Sequence, residues 1–169
     1  LVRSRKDKQD AHTIKALFFQ SIIFYEIIGE NEEPDLAIVK DFTQEIEQSN
    51  GVKKALLQNI LGQMFYQYYN SKQWQIQERT KVAGKITDFR EWTTRDFYEQ
   101  IDSLYKASIQ DKNLLYQTSL NDWKEILSPK EINELKPTLY DMMLWNMSFF
   151  YEENNFGLQD KEEALNKQW

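Results

Sequence analysis

The chain contains no cysteine, so disulfides, thiolate metal sites and a cysteine nucleophile are excluded, and the redox compartment stays open. It has one histidine, His12. A zinc site needs three or four converging ligands, and a lone imidazole beside Asp10 does not supply them. The same residue would have to serve any Ser-His-Asp arrangement, and no Gly-x-Ser-x-Gly elbow presents a serine. Glycine (5) and proline (3) are too scarce for a strand-and-turn protein and favour long helices. Gly62 and Gly84 are isolated, so no phosphate-cradling loop is present. No apolar run approaches the ~20 residues that span a bilayer; the longest, Ala16 to Ile28, is interrupted by Gln20, Ser21 and Glu26. Positive charge is also short: 21 Lys and Arg against 27 Asp and Glu leave a net charge of −6. Neutralising phosphates needs a basic surface, so nucleic acid is not an expected partner. The nearest approach, Arg3, Arg5, Lys6 and Lys8, reads as a solvated chain end.

What is present is apolar periodicity. The 169 residues, 14% of them aromatic, fit one domain able to bury about 70% of its unfolded surface. Ile14, Leu17, Phe18, Ile22 and Tyr25 recur at helical spacing, and Phe24, Ile27 and Ile28 widen the face. A helix apolar round most of its circumference is expected to be buried on several sides. Gly29 ends it, and Pro34 with Glu32, Glu33 and Asp35 suits the first turn of the next. Leu36, Val39, Phe42 and Ile46 form the second stripe, and Ser49-Asn50-Gly51 a turn. Leu57, Ile60, Leu61, Met64, Phe65 and Tyr68 line a third helix. Gly62 inside it costs about 1 kcal/mol relative to Ala, which implies close approach of another helix.

Residues 71–93 read as a long connection packed through Trp74, Ile76, Val82, Ile86, Phe89 and Trp92. Thr93 and Asp96 make a capping box for a helix carrying Phe97, Ile101, Leu104, Tyr105 and Ser108. Ser128-Pro129-Lys130-Glu131 starts a short helix that Pro137 stops. Thr138 and Asp141 open another, apolar through Leu139, Met142, Met143, Leu144, Trp145, Met147, Phe149 and Phe150. The segment 155–169 reads as the start of a further helix, cut off. The expectation is an all-α, single-domain array of about six main antiparallel helices over residues 1–169. Its sizes and connections resemble helical-hairpin repeats, but no self-similarity appears at a ~34-residue period, so it is only weakly tetratricopeptide-like.

Two constellations bear on chemistry. Asp96, Glu99 and Asp102 share one helix face, but general acid–base work needs a desolvated carboxyl, and these lie opposite the apolar stripe. A solvated polar face is the expected reading. Glu30, Glu32, Glu33 and Asp35 lack the alternation of a calcium loop. No catalytic residue, metal or cofactor is expected. Tyr66, Tyr69, Trp74 and Trp92 are the candidate interaction surface, because exposed Tyr and Trp rings offer contact area with a polar handle. The competing reading is that these rings are core.

Three landmarks, in order, carry a family resemblance. They are Leu61 to Tyr69 followed by Trp74 and Arg79-Thr80; Asp88-Phe89-Arg90 with Trp92, leading to Tyr105-Lys106-Ala107-Ser108; and Leu120-Asn121-Asp122-Trp123-Lys124-Glu125-Ile126-Leu127 before Pro137-Thr138-Leu139-Tyr140-Asp141. With Ile14-Lys15-Ala16-Leu17 they cover about residues 11–151. This chain resembles the N-terminal helical region of large bacterial alpha-2-macroglobulin-family proteins. Gly62-Gln63 stands where that pattern commonly has Ala-Glu, and Glu91 and Thr93 also depart from it. The resemblance implies a periplasmic or outer-membrane-associated protein, often lipid-anchored upstream, whose later domains trap proteases. The Cys-Glu-Gln thioester of the family is absent from this chain. The chain begins at Leu1 without an initiator Met or signal peptide, so it reads as a piece of a longer protein. Its implied role is a non-enzymatic helical scaffold or interaction region whose partners are other domains of its parent, and proteases only through them. The alternative is a glycan- or ligand-binding helical module of an outer-membrane lipoprotein. A third reading, a hydrolase using Asp96, Glu99 and Asp102, is disfavoured by their expected solvation.

Overall fold

The structure, a computed structural model, describes residues 10–29, 36–80, 87–123 and 138–153, and among these it has six α-helices and two short 3-10 turns. Among these residues there is no strand, only an isolated antiparallel bridge between Ser119 and Thr138. The Ser128 helix start, Pro34, Pro137, the basic N-terminal cluster and the 155–169 segment lie outside the described residues.

Helix α1 (Asp10–Gly29) turns Ile14, Leu17 and Phe24 inward. Its principal neighbours are α2 (Leu36–Gln48) and α3 (Gly51–Gln77). Among the described residues one line of side chains faces inward, so the expectation of burial on several sides is not met. Phe19 and Ile23 are 55% and 49% exposed, and Ile22, which the spacing placed in the buried stripe, is exposed with them. In α2 the buried line is Ile38, Phe42 and Glu45. Leu36, Val39 and Ile46 of the expected stripe flank it half-buried. The face is rotated because Glu45, almost fully buried, is held by Lys53 of α3 at 2.9 Å. Burying a carboxylate without such a partner is costly.

Helix α3 is the hub. Gly51 at φ +53° opens it in a left-handed conformation that costs glycine little. From Ala55 onward buried side chains occur in every turn, because α1, α2, α4 (Thr94–Ser108) and α6 (Leu139–Glu153) all pack on it. The helix does not stop near Asn70, where the expected 71–93 connection would begin. It kinks at Lys72 (φ −118°, ψ 16°) and runs on to Gln77. The Ser71 hydroxyl donates to the Tyr68 carbonyl at 2.8 Å just before the kink, a side-chain intrusion of the kind that bends helices. Only Ile76 is anchored inward among the apolar residues beyond the kink, so no stripe betrays that last stretch.

α4 runs antiparallel to α3: Asn59 meets Ser108, Gly62 meets Tyr105, and Tyr69 meets Phe97. All five residues assigned to its stripe, Phe97, Ile101, Leu104, Tyr105 and Ser108, are buried. Thr93 and Asp96 form the reciprocal capping box. A short α5 (Lys112–Gln117), capped by Asp111, follows without having been anticipated. It leads through the Leu120–Trp123 turn towards α6. Thr138 and Asp141 then repeat the capping box, with Asp141 Oδ2 accepting from Thr138 N at 3.1 Å and Thr138 Oγ1 at 2.6 Å. α6 lies parallel to α3, Asn146 meeting Asn59 and Phe150 meeting Tyr66. One apolar core draws side chains from all six helices.

Candidate interaction surface and apolar cavity

The four candidate aromatics differ in exposure, and the core reading that helical spacing favours holds for two of them. Tyr66 and Tyr69 are buried, so neither offers a ring face to a partner. Tyr66 stands edge-on to Phe150, with centroids 5.5 Å apart, and its hydroxyl donates to Glu153. Tyr69 tilts against Phe97 at 5.9 Å. Trp92 is half-buried in an aromatic cluster, 5.0 Å from Phe65 and 5.3 Å from Phe97. Its carbonyl accepts from the Arg79 guanidinium at 2.9 Å, which ties the end of α3 to the start of α4. Trp74 alone of the four points outward, 85% exposed, on the stretch beyond the kink.

The connection into α4 is shorter than the expected 71–93, and its described part packs inward. Phe89 is buried between Phe65 (5.5 Å), Tyr68 (5.0 Å) and Trp92 (6.3 Å). The 3-10 turn Phe89–Glu91 that carries it is capped by Asp88, which accepts from Arg90 N at 2.9 Å and Arg90 Nη2 at 2.7 Å. The hydrogen bond from the Arg90 side chain holds the Asp88 carboxyl below the usual carboxylate range, against the opposing effect of burial.

The three acids of α4 each have a separate partner. Asp96 is taken up by the capping box, accepting from Thr93 Oγ1 at 2.6 Å. Glu99 pairs with Arg95 at 2.8 Å in solvent. Asp102 departs from the expected solvated face: it is only partly exposed, holds Lys106 at 2.8 Å and accepts from the Tyr151 hydroxyl of α6. Burial, reinforced by that hydrogen bond and by the Asp102 charge, pushes the Tyr151 phenol well above the usual tyrosine range. Tyr98 is raised by burial and then by Asp102, and Lys106 is raised by its hydrogen bond to Asp102. His12 is exposed. Among the described residues no group of three or more His, Asp or Glu side chains is placed to hold a metal ion.

Two surface features escaped the sequence reading. The first is apolar exposure on α1 (Phe19, Ile22, Ile23) and α6 (Leu144, Trp145, Phe149). Its signal was there as apolar residues in excess of one helical stripe, which sequence alone does not divide between core and surface. The second is a cavity of about 590 Å³ between α2, α3, the 3-10 turn and α4, walled by Leu36, Val39, Leu61, Phe65, Phe89 and Trp92. Lys40, Thr43, Thr87 and Gln100 supply its polar lining. Set against known protein families, curated proteins and solved structures, the chain matches none of them.

Proposed function

We propose that this chain is a non-enzymatic helical scaffold or interaction region within a larger exported protein of the bacterial alpha-2-macroglobulin kind, seated in the periplasm or at the outer membrane. Its partners on this reading are neighbouring domains of the same parent, and proteases are met only by those domains. The supporting observation is the exposed apolar surface of α1 and α6, where Phe19 and Trp145 are 55% and 53% accessible. Each helix by itself exposes three large apolar side chains within two turns, and adjoining exposed apolar groups mark contact surfaces. The acids of α4 add support, since each is engaged by a cap, an ion pair or a tyrosine. No helix among the described residues is long and apolar enough to cross a membrane.

The test is to add the parent's downstream domains in trans and follow association by light scattering. Phe19→Ser combined with Ile23→Ser should leave the circular-dichroism melt nearly unchanged, since both residues are exposed, and should abolish association. Undiminished association of the double variant would remove the α1 face from the proposal. No association of the wild type would remove the scaffold reading itself.

Trp74 keeps a second reading in view, a glycan platform, because its indole stands clear of the helix surface. Oligosaccharides should then quench tryptophan fluorescence in the wild type and not in Trp74→Ala. A flat titration in both disposes of it.

A further inference from the structure

We propose that the cavity between α2, α3 and α4 binds one monomeric amphipathic anion, an alkyl carboxylate, with its tail against Phe65, Phe89 and Trp92 and its carboxylate at the Lys40 ammonium. The site is independent of the scaffold reading, and nothing in the α1 or α6 surface contributes to it.

Size and lining come first. About 590 Å³ falls within the range of sites that enclose small organic ligands. The walls are rigid where it matters, because Phe65, Phe89 and Trp92 brace one another at 5.0–6.3 Å between centroids. Rings packed on one another in this way have little room to shift into the half-open space beside them. Leu36 and Val39, which a simple amphipathic α2 would bury, stay half-exposed because they form its outer wall.

Charge then selects among apolar ligands. Lys40 is the only charged residue among the described lining. Lys53 and Lys106 have carboxylate partners and Lys112 lies over the rings of Tyr116 and Tyr140, whereas Lys40 has no ion pair among the described residues. A cationic headgroup would be repelled there, and a multiply charged phosphate would find a single cation. One carboxylate matches the single ammonium, and Gln100 offers an amide donor on the same lining. Because Lys40 is exposed, the pair orients and selects the ligand, while affinity comes from covering the tail.

Dodecanoate below its micelle concentration is the probe, with dodecanol and dodecyltrimethylammonium as neutral and cationic counterparts, read by calorimetry and tryptophan fluorescence. Dodecanoate should bind saturably at one per chain, more tightly than either counterpart. Lys40→Glu, an exposed change that leaves the fold intact, should weaken dodecanoate about tenfold and leave dodecanol unchanged. Val39→Trp, which narrows the cavity, should weaken both tails together. The proposal is overturned if wild type shows no saturable dodecanoate binding, if Lys40→Glu binds it equally well, or if the cationic surfactant binds as tightly as the anion.

Discussion

A methyl group built on Gly62 would sit 3.3 Å from Tyr105 Cε1 and 3.6 Å from Leu104 Cβ. The Tyr105 ring is buried and also packs on Phe150 at 5.7 Å, so it has little room to retreat. The glycine's helix penalty of about 1 kcal/mol is therefore the condition for α4 to lie close on α3. Gly62→Val should lower stability by about 2 kcal/mol through overpacking, read from urea unfolding; an unchanged midpoint would show the contact to be loose. This close approach was legible, since an isolated glycine within a strong helical stripe points to a neighbour packed against the backbone. Asn59 was not. Its Oδ1 accepts from Gln63 at 3.2 Å and from Asn146 at 2.9 Å, and its Nδ2 donates to Ser108 at 3.3 Å. Two of those partners lie 87 and 49 positions away, so no local pattern signals them.

At the scale of single elements, α4 and α6 begin alike. Thr93 and Thr138 each accept from the backbone N–H three residues on, and Asp96 and Asp141 each accept back from the cap N–H. Thr93→Ala should cost about 1 kcal/mol and Thr93→Ser much less, because serine keeps the hydroxyl acceptor. Thermal melts of the two variants check this, and equal losses would mean that the methyl, not the oxygen, stabilises the junction. Both boxes were legible because cap chemistry is local. The end of α3 and the buried face of α2 were not, because each depends on distant groups: Lys53 for Glu45, and the Arg79–Trp92 tie for the last turns of α3.

Across the whole molecule, α6 is fastened by two tyrosine–carboxylate bonds, Tyr66 to Glu153 and Tyr151 to Asp102. Tyr151, Tyr98 and Lys106 all have raised pKa values in the fold. A raised pKa means the folded state holds its proton more tightly than the unfolded chain. The associated stability is complete below the unfolded values, about 10 for both residue types, and is lost as pH rises through the folded ones. The melting temperature should accordingly fall steeply above about pH 10, and Tyr151→Phe should flatten that fall while costing about 1 kcal/mol at neutral pH for the missing hydrogen bond. A variant with the wild-type alkaline slope would place the sensitivity elsewhere. Asp88 acts in the opposite sense: its lowered pKa gives stability above the ordinary carboxylate range that is lost as pH falls through the folded value.

The amino-acid order alone determined the all-α class, the caps of α4 and α6, the α4 stripe and the close contact at Gly62, because each follows from spacing or from groups within one turn of each other. Tertiary structure alone decided which of the surplus apolar residues face outward, placing Tyr66 and Tyr69 inside and leaving Trp74, Phe19 and Trp145 outside. It also left the cavity beside Lys40. The physical reason is that periodicity states how much apolar surface a helix carries, whereas the number and direction of its neighbours settle how much of that surface is covered.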